Sequence, residues 1–175
     1  MTFEEFLVER ALSTKQVKLV DSEELTQAVE KNDYDKVREL LEKGHNPDYR
    51  NPNNWTPMGL ASRQGSEKIL KLLLKHGADV NGLAGSADAT PLQLCLTNFG
   101  NSTQLAELLI KHGADINIPN RHGWYPIESA SRDNDVETLN VMLKHNPNKD
   151  SLKLALEQAE RFDSKDTAKI LKELV

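Results

Sequence analysis

The chain has 175 residues, of which a quarter are Leu, Ile, Val or Phe and 28 % are charged, enough apolar material for one ordinary folded domain and too much for a disordered tail. A net charge of −5 excludes a surface that matches phosphate everywhere, and so disfavours nucleic acid as the partner. The single cysteine, Cys95, excludes a disulfide-stapled scaffold, no apolar run approaches the roughly 20 residues that span a bilayer, and Glu4, Glu5 and Glu9 stand where a secretory leader would be basic, so the expected location is cytoplasmic.

The first predicted element is a helix over residues 2–12, with Thr2 and Glu5 at capping-box spacing and Phe3, Phe6 and Leu7 on one side. It is expected to cover the apolar end of the helices beyond it. From Asp21 onward helices are predicted in pairs. The second helix of each pair carries an apolar stripe at i, i+3, i+4 spacing: Val37, Leu40, Leu41; Ile69, Leu72, Leu73; Leu105, Leu108, Leu109; Val136, Leu139, Leu143. Each stripe ends before Gly44, Gly77, Gly113 or Asn146, residue types that accept the left-handed conformation after a helix. Three of the first helices open on Thr56-Pro57, Thr90-Pro91 and Tyr125-Pro126, where Thr supplies a capping hydroxyl and Pro a φ already set for the first turn. Two residues ahead of each opening stand Asn54, Asp88 and Gly123, predicted to hold positive φ.

These elements recur in phase. KHGADVN begins at Lys75 and KHGADIN at Lys111, with weaker copies at Glu42 and Lys144, so the starts are spaced by 33, 36 and 33 residues, while the Pro-containing openings are spaced by 34 and 35. The pattern resembles the ankyrin repeat, a β-turn followed by two antiparallel helices with a TPLHxA opening. The resemblance implies an all-α solenoid with short β-turn tips and an extra N-terminal capping helix. Its expected divisions are a capping segment at 1–20, four repeats over 21–148 with breaks after Asn46, Asp79 and Asp115, and a C-terminal capping repeat at 149–175. The pattern is broken in places. Gly59, Gln93 and Glu128 replace the His of TPLHxA, and the third unit is longer both in its turn, at Gly82 to Ala87, and between its helices, at Asn98 to Ser102.

Catalytic and metal chemistry are not expected. His76, His112 and His145 recur once per unit, which spaces neighbours by about 10 Å, the usual distance between packed helices, too far apart to share a metal. His45 and His122 lie in turns without a second ligand at suitable spacing, Cys95 occupies the small apolar position held by Ala61 and Ala130 in neighbouring units, and carboxylates such as Glu23, Glu24 and Asp163 sit in polar contexts. No cofactor is expected.

The family resemblance implies a groove lined by turn tips and first helices, in which one protein partner binds. Carried over by position, the partner-facing residues are Arg50, Pro52, Asn53, Trp55, Arg63 and Gln64 in the second unit. In the third they are Ala84, Ser86, Ala87, Ala89, Thr97 and Asn98, with Phe99 beside them. In the fourth they are Pro119, Arg121, His122, Trp124, Arg132 and Asp133. Both tryptophans and four of the seven arginines fall here, and none of the fifteen lysines, a composition typical of interface hot spots. Trp55 and Trp124 are expected to project alike, with the small Ala89 leaving a depression between them. The expected function is that of a stand-alone, non-enzymatic module, a monomer when free, that binds and inhibits or sequesters one protein. An immunity-type inhibitor of a toxin or enzyme is one version and a regulatory adaptor in host or cell signalling the alternative, and the sequence does not choose between them. The rivals of another class are an enzyme using His45, His122 or Cys95 and a binder of acidic ligands or nucleic acid through the arginines.

Overall fold

A computed structural model describes residues 20, 21, 23–97 and 102–175. The helix expected over 2–12, and Asn98 and Phe99, lie outside the described residues. Among the described residues ten helices follow one another as antiparallel pairs: α1 (Glu24–Glu30) with α2 (Tyr34–Glu42), α3 (Pro57–Gln64) with α4 (Glu67–Lys75), α5 (Pro91–Cys95) with α6 (Ser102–Lys111), α7 (Pro126–Arg132) with α8 (Val136–Leu143), and α9 (Lys149–Arg161) with α10 (Lys165–Lys172). The first helices form one row, each packing on the next from α1 to α9, and the second helices form another, in which α2 meets α4 and α6, α8 and α10 follow in turn. Among the described residues the only strand-like pairings are two isolated bridges, Val20 with His45 and Ala84 with Ala89.

Local chemistry explains the helix starts. The Thr56 hydroxyl accepts the Gly59 N–H at 3.1 Å, Thr90 accepts that of Gln93 at 3.2 Å, and Pro fills the first turn of α3, α5 and α7. Tyr125 has no such hydroxyl, and Glu128 supplies the cap from the other side by accepting the Tyr125 N–H at 2.7 Å. Gly44, Gly77, Gly113 and Asn146, and likewise Asn54, Asp88 and Gly123, all hold positive φ, as their positions predict. The stripes of the second helices are buried apart from Leu108, Val136 and Leu143, which lie at the edge of the core.

Successive turns, at the two ends of each unit, are tied by a ladder of side-chain acceptors. Asp48 Oδ1 accepts the Asp79 N–H at 2.8 Å, Asn81 Oδ1 accepts that of Asp115 at 2.8 Å, and Asn117 Oδ1 accepts that of Asn148 at 2.8 Å. The amides of Asn81 and Asn117 also donate to the carbonyls of Gly113 and Asn146. The recurring Asp and Asn of the sequence marker are therefore there to satisfy backbone groups of the next turn in the row that would otherwise lack a partner.

The lengthened turn of the third unit closes as a small hairpin, with Ala84 and Ala89 exchanging N–H to O bonds of 2.8 and 3.0 Å. It rests on α3 at Gly59, where a Cβ would stand 2.4 Å from the Ala84 Cβ. The two departures from the family pattern, a glycine in α3 and an extra residue in the next turn, are one feature: the missing side chain makes the room that the hairpin occupies.

Candidate functional site

Three turn tips, around residues 50–55, 84–89 and 120–124, stand side by side. Each is closed internally: Asn51 N–H donates to the Trp55 carbonyl at 2.9 Å, Ala84 pairs with Ala89, and Asn120 N–H donates to the Trp124 carbonyl at 2.9 Å. They are also bonded to one another. Gly85 N–H donates to the Asn54 carbonyl at 2.7 Å, and the Asn54 amide returns bonds to the Gly85 carbonyl and the Asp88 carboxylate at 2.9 and 3.0 Å. On the next junction the Arg121 N–H reaches the Ala87 carbonyl at 2.9 Å and its guanidinium reaches the Ser86 carbonyl at 2.5 Å. Below them the Gln93 amide donates to the Trp124 carbonyl at 2.5 Å while its Oε1 accepts the Thr90 N–H at 2.9 Å. Gln93, where the pattern has His, thus joins its own helix start to the following tip.

The two tryptophans differ. Trp55 is half-buried, packed against Ala84, Ala89 and Leu94, with its ring edge so close to Gly85 that a Cβ there would stand 2.8 Å from it. The Arg63 guanidinium lies over the ring, 4.2 Å from its centroid. The depression expected at Ala89 is therefore filled by the chain's own Trp55, and this residue does not project freely as its sequence position predicts. Trp124 is 44 % exposed and stands outside both apolar clusters.

The remaining candidates are distributed along this row. Arg50 donates to Asn54 at 2.8 Å, Asn53 and His122 are exposed at the tips, and the Gln64 amide donates to the Glu30 carbonyl at 3.0 Å. Arg132 forms a two-pronged pair with its neighbour Asp133 at 2.7 and 3.1 Å. Sequence reasoning missed Gly85, Leu94 and the side-chain role of Asn54. The first two could have been found only by knowing where Trp55 points.

Residues 25–120 match the pattern of three tandem ankyrin repeats. The chain belongs to the ankyrin repeat family. It is similar to the ankyrin repeat protein nuc-2 of Neurospora crassa, 32 % identical over 75 % of this chain and 12 % of that protein. It is also similar to the human transient receptor potential cation channel subfamily A member 1, 31 % identical over 67 % of this chain and 10 % of the channel. With the human 2-5A-dependent ribonuclease the identity is 38 % over 38 % of this chain and 9 % of the enzyme. The chain thus spans about a tenth of the length of these relatives. Ankyrin repeats are protein-interaction modules that present an extended surface to partners. No helix among the described residues of this ankyrin stack is long and apolar enough to cross a membrane.

Burial displaces two ionisable groups of the stack, Cys95 and Glu128, from their ordinary values. Cys95 donates its Sγ–H to the Leu92 carbonyl at 3.1 Å, and burial pushes the thiol up to about 12, which leaves almost no thiolate to act as nucleophile at neutral pH. In native buffer Cys95 is expected to resist a water-soluble alkylating reagent and to react only after denaturation, as intact-mass measurement would show; Cys95→Ala should cost some stability and no partner affinity.

Burial also pushes the Glu128 carboxyl above the ordinary carboxylate range; the Tyr125 N–H bond works against this and the nearby Glu157 carboxylate adds to it. The native state then holds this proton more tightly than the unfolded chain does. Its contribution is greatest below the ordinary carboxylate value and is lost as pH rises through the raised one. Glu128→Gln keeps the acceptor for Tyr125, as Gln93 does for Thr90. The variant is expected to melt higher than the parent in neutral buffer, with the difference shrinking on acidification.

Proposed function

We propose that this ankyrin stack is a non-enzymatic binding module that captures one protein partner along the turn row, and that it acts by occupancy, as an inhibitor or sequestering subunit. An immunity-type inhibitor of a toxin or enzyme fits this mode of action, and a signalling adaptor is the alternative role for the same surface. The observation that carries the reading is Trp124, a large aromatic left 44 % exposed on a tip whose backbone is tied to the neighbouring unit through Arg121 and Gln93. A rigid, exposed aromatic gains much buried area on binding and loses little entropy.

An arginine-rich surface for acidic ligands is less well supported. The guanidinium of Arg50 is bonded to Asn54, that of Arg121 to Ser86 and that of Arg132 to Asp133, and Arg63 lies on Trp55, so a phosphate would have to displace existing contacts. The reading is tested by affinity purification from source cells with the parent chain and Trp124→Ala in parallel, followed by titration of the retained protein with salt. A protein held by the parent, lost from the variant and showing a shallow salt dependence is expected. Equal retention by both chains, or a steep logarithmic dependence on salt from nucleic acid, would sink it.

A further inference from the structure

The second and fourth tips are built alike, but only one of them has a neighbour on its C-terminal side. In both, an Asn side chain accepts the tryptophan N–H, Asn51 for Trp55 at 2.9 Å and Asn120 for Trp124 at 3.2 Å, and a residue of positive φ, Asn54 or Gly123, precedes the ring. The ring of Trp55 lies against the third-unit hairpin, in contact distance of Gly85 and packed on Ala84 and Ala89, and the Asn54 carbonyl accepts the Gly85 N–H. Beyond Trp124 there is no corresponding hairpin. The fifth unit passes from the end of α8 at Leu143 to Asn148, which caps α9 directly by accepting the Ser151 N–H at 2.7 Å. The exposed carbonyls of His122 and Gly123 receive no N–H from the described residues.

We infer that Trp124 and the His122–Gly123 carbonyls form a seat for a β-turn of the partner protein, with a Gly at its apex lying against the indole and donating its N–H to the tip. The occupant is specified by the filled copy of the same seat: the space beneath Trp55 admits Gly85 and no Cβ, and the contact uses a backbone donor. A second copy of this chain presenting its second-unit tip does not meet these terms, because the position after Asn51 is Pro52, which lacks an N–H and carries a ring where the seat requires a small residue. The inference rests on the reading of the turn row as a binding surface and adds what is bound there.

The probe is a backbone-cyclised peptide of residues 82–90, which carries Gly85 between Ala84 and Ser86, titrated into the full chain labelled with 15N. The indole N–H signals of the two tryptophans are followed, each assigned from a Trp→Phe variant. A saturable shift of the Trp124 signal with Trp55 unmoved is expected, and the same peptide bearing Gly85→Val should bind about tenfold more weakly or not at all, as overpacking a close contact demands. Absence of a saturable shift, equal shifts of both indoles, or equal binding of the Val peptide overturns the inference. If the peptide leaves Trp124 untouched while Trp124→Ala still releases the purified partner, the turn-binding idea fails alone. If Trp124→Ala releases nothing either, both readings fail.

Discussion

Gly59→Ala is expected to destabilise the protein by about 2 kcal/mol, within the usual cost of overpacking a fitted contact, although the same change in an ordinary helix interior gains roughly 0.5–1 kcal/mol. The sign reverses because the new methyl would stand 2.4 Å from the Ala84 Cβ, 3.2 Å from the Thr56 hydroxyl and 3.3 Å from a Leu94 methyl. Relief requires the hairpin to lift from α3, which would loosen the bonds of Gly85 to Asn54 and the packing of Trp55. Thermal and urea unfolding of the single variants and of Gly59→Ala combined with Ala84→Gly provides the check. The combination should recover most of the loss, since the two positions share one contact and cannot behave additively. A single variant as stable as the parent would show that the hairpin moves freely.

The second large effect separates the tryptophans. Trp55→Ala is expected to cost about 3 kcal/mol, the lower end for removing a large aromatic from a packed setting, because it strips the cover from Ala84, Ala89 and Leu94 and takes the ring from beneath Arg63. Trp124→Ala should change stability by less than about 0.5 kcal/mol, as at an exposed surface site, and should cost about 2 kcal/mol or more of partner affinity if the ring is a hot spot. Melting and affinity measured on the same samples discriminate the pair. Equal losses of stability would mean that Trp124 is part of the packed row, and retained affinity in Trp124→Ala would remove it from the binding surface.

These two cases also mark how far the sequence could be read. The repeat was legible because the signals are local: a Thr-Pro opening, a 3.6-residue apolar stripe, and a Gly or Asn after the second helix each report on a few adjacent residues, and their phase reports on the stack. What the tips do to one another was not legible from the same signals. Trp55 and Trp124 hold identical places in their units, yet one ring is covered and the other exposed, and the difference is decided by residues 24 to 30 positions downstream: a hairpin with Gly85 in one case, a bare helix cap at Asn148 in the other. Gly59 reads as a lost family histidine until Ala84 is seen to occupy its space. Gln93 reads the same way until its amide is found on the Trp124 carbonyl. Unlike the recurring Asp and Asn of the ladder, these partnerships occur once each and carry no periodic signal, so local pattern cannot find them.

The ladder and the Gly59 contact have opposite consequences for recombination. The bonds that the Asp115 N–H gives to Asn81 and the Asn148 N–H gives to Asn117 ask nothing of the receiving turn except a backbone amide at the right place. A duplicated unit spliced at the joint between the third and fourth units would carry both ends of its own bond. The joint between the second and third units is different, because there a side chain is absent on one side so that Ala84 and Gly85 can enter on the other. A unit shuffled into that place would bring neither the hairpin nor its glycine, and Trp55 would be left without a bed. Insertion of a unit is therefore expected to be tolerated better between the third and fourth units than between the second and third.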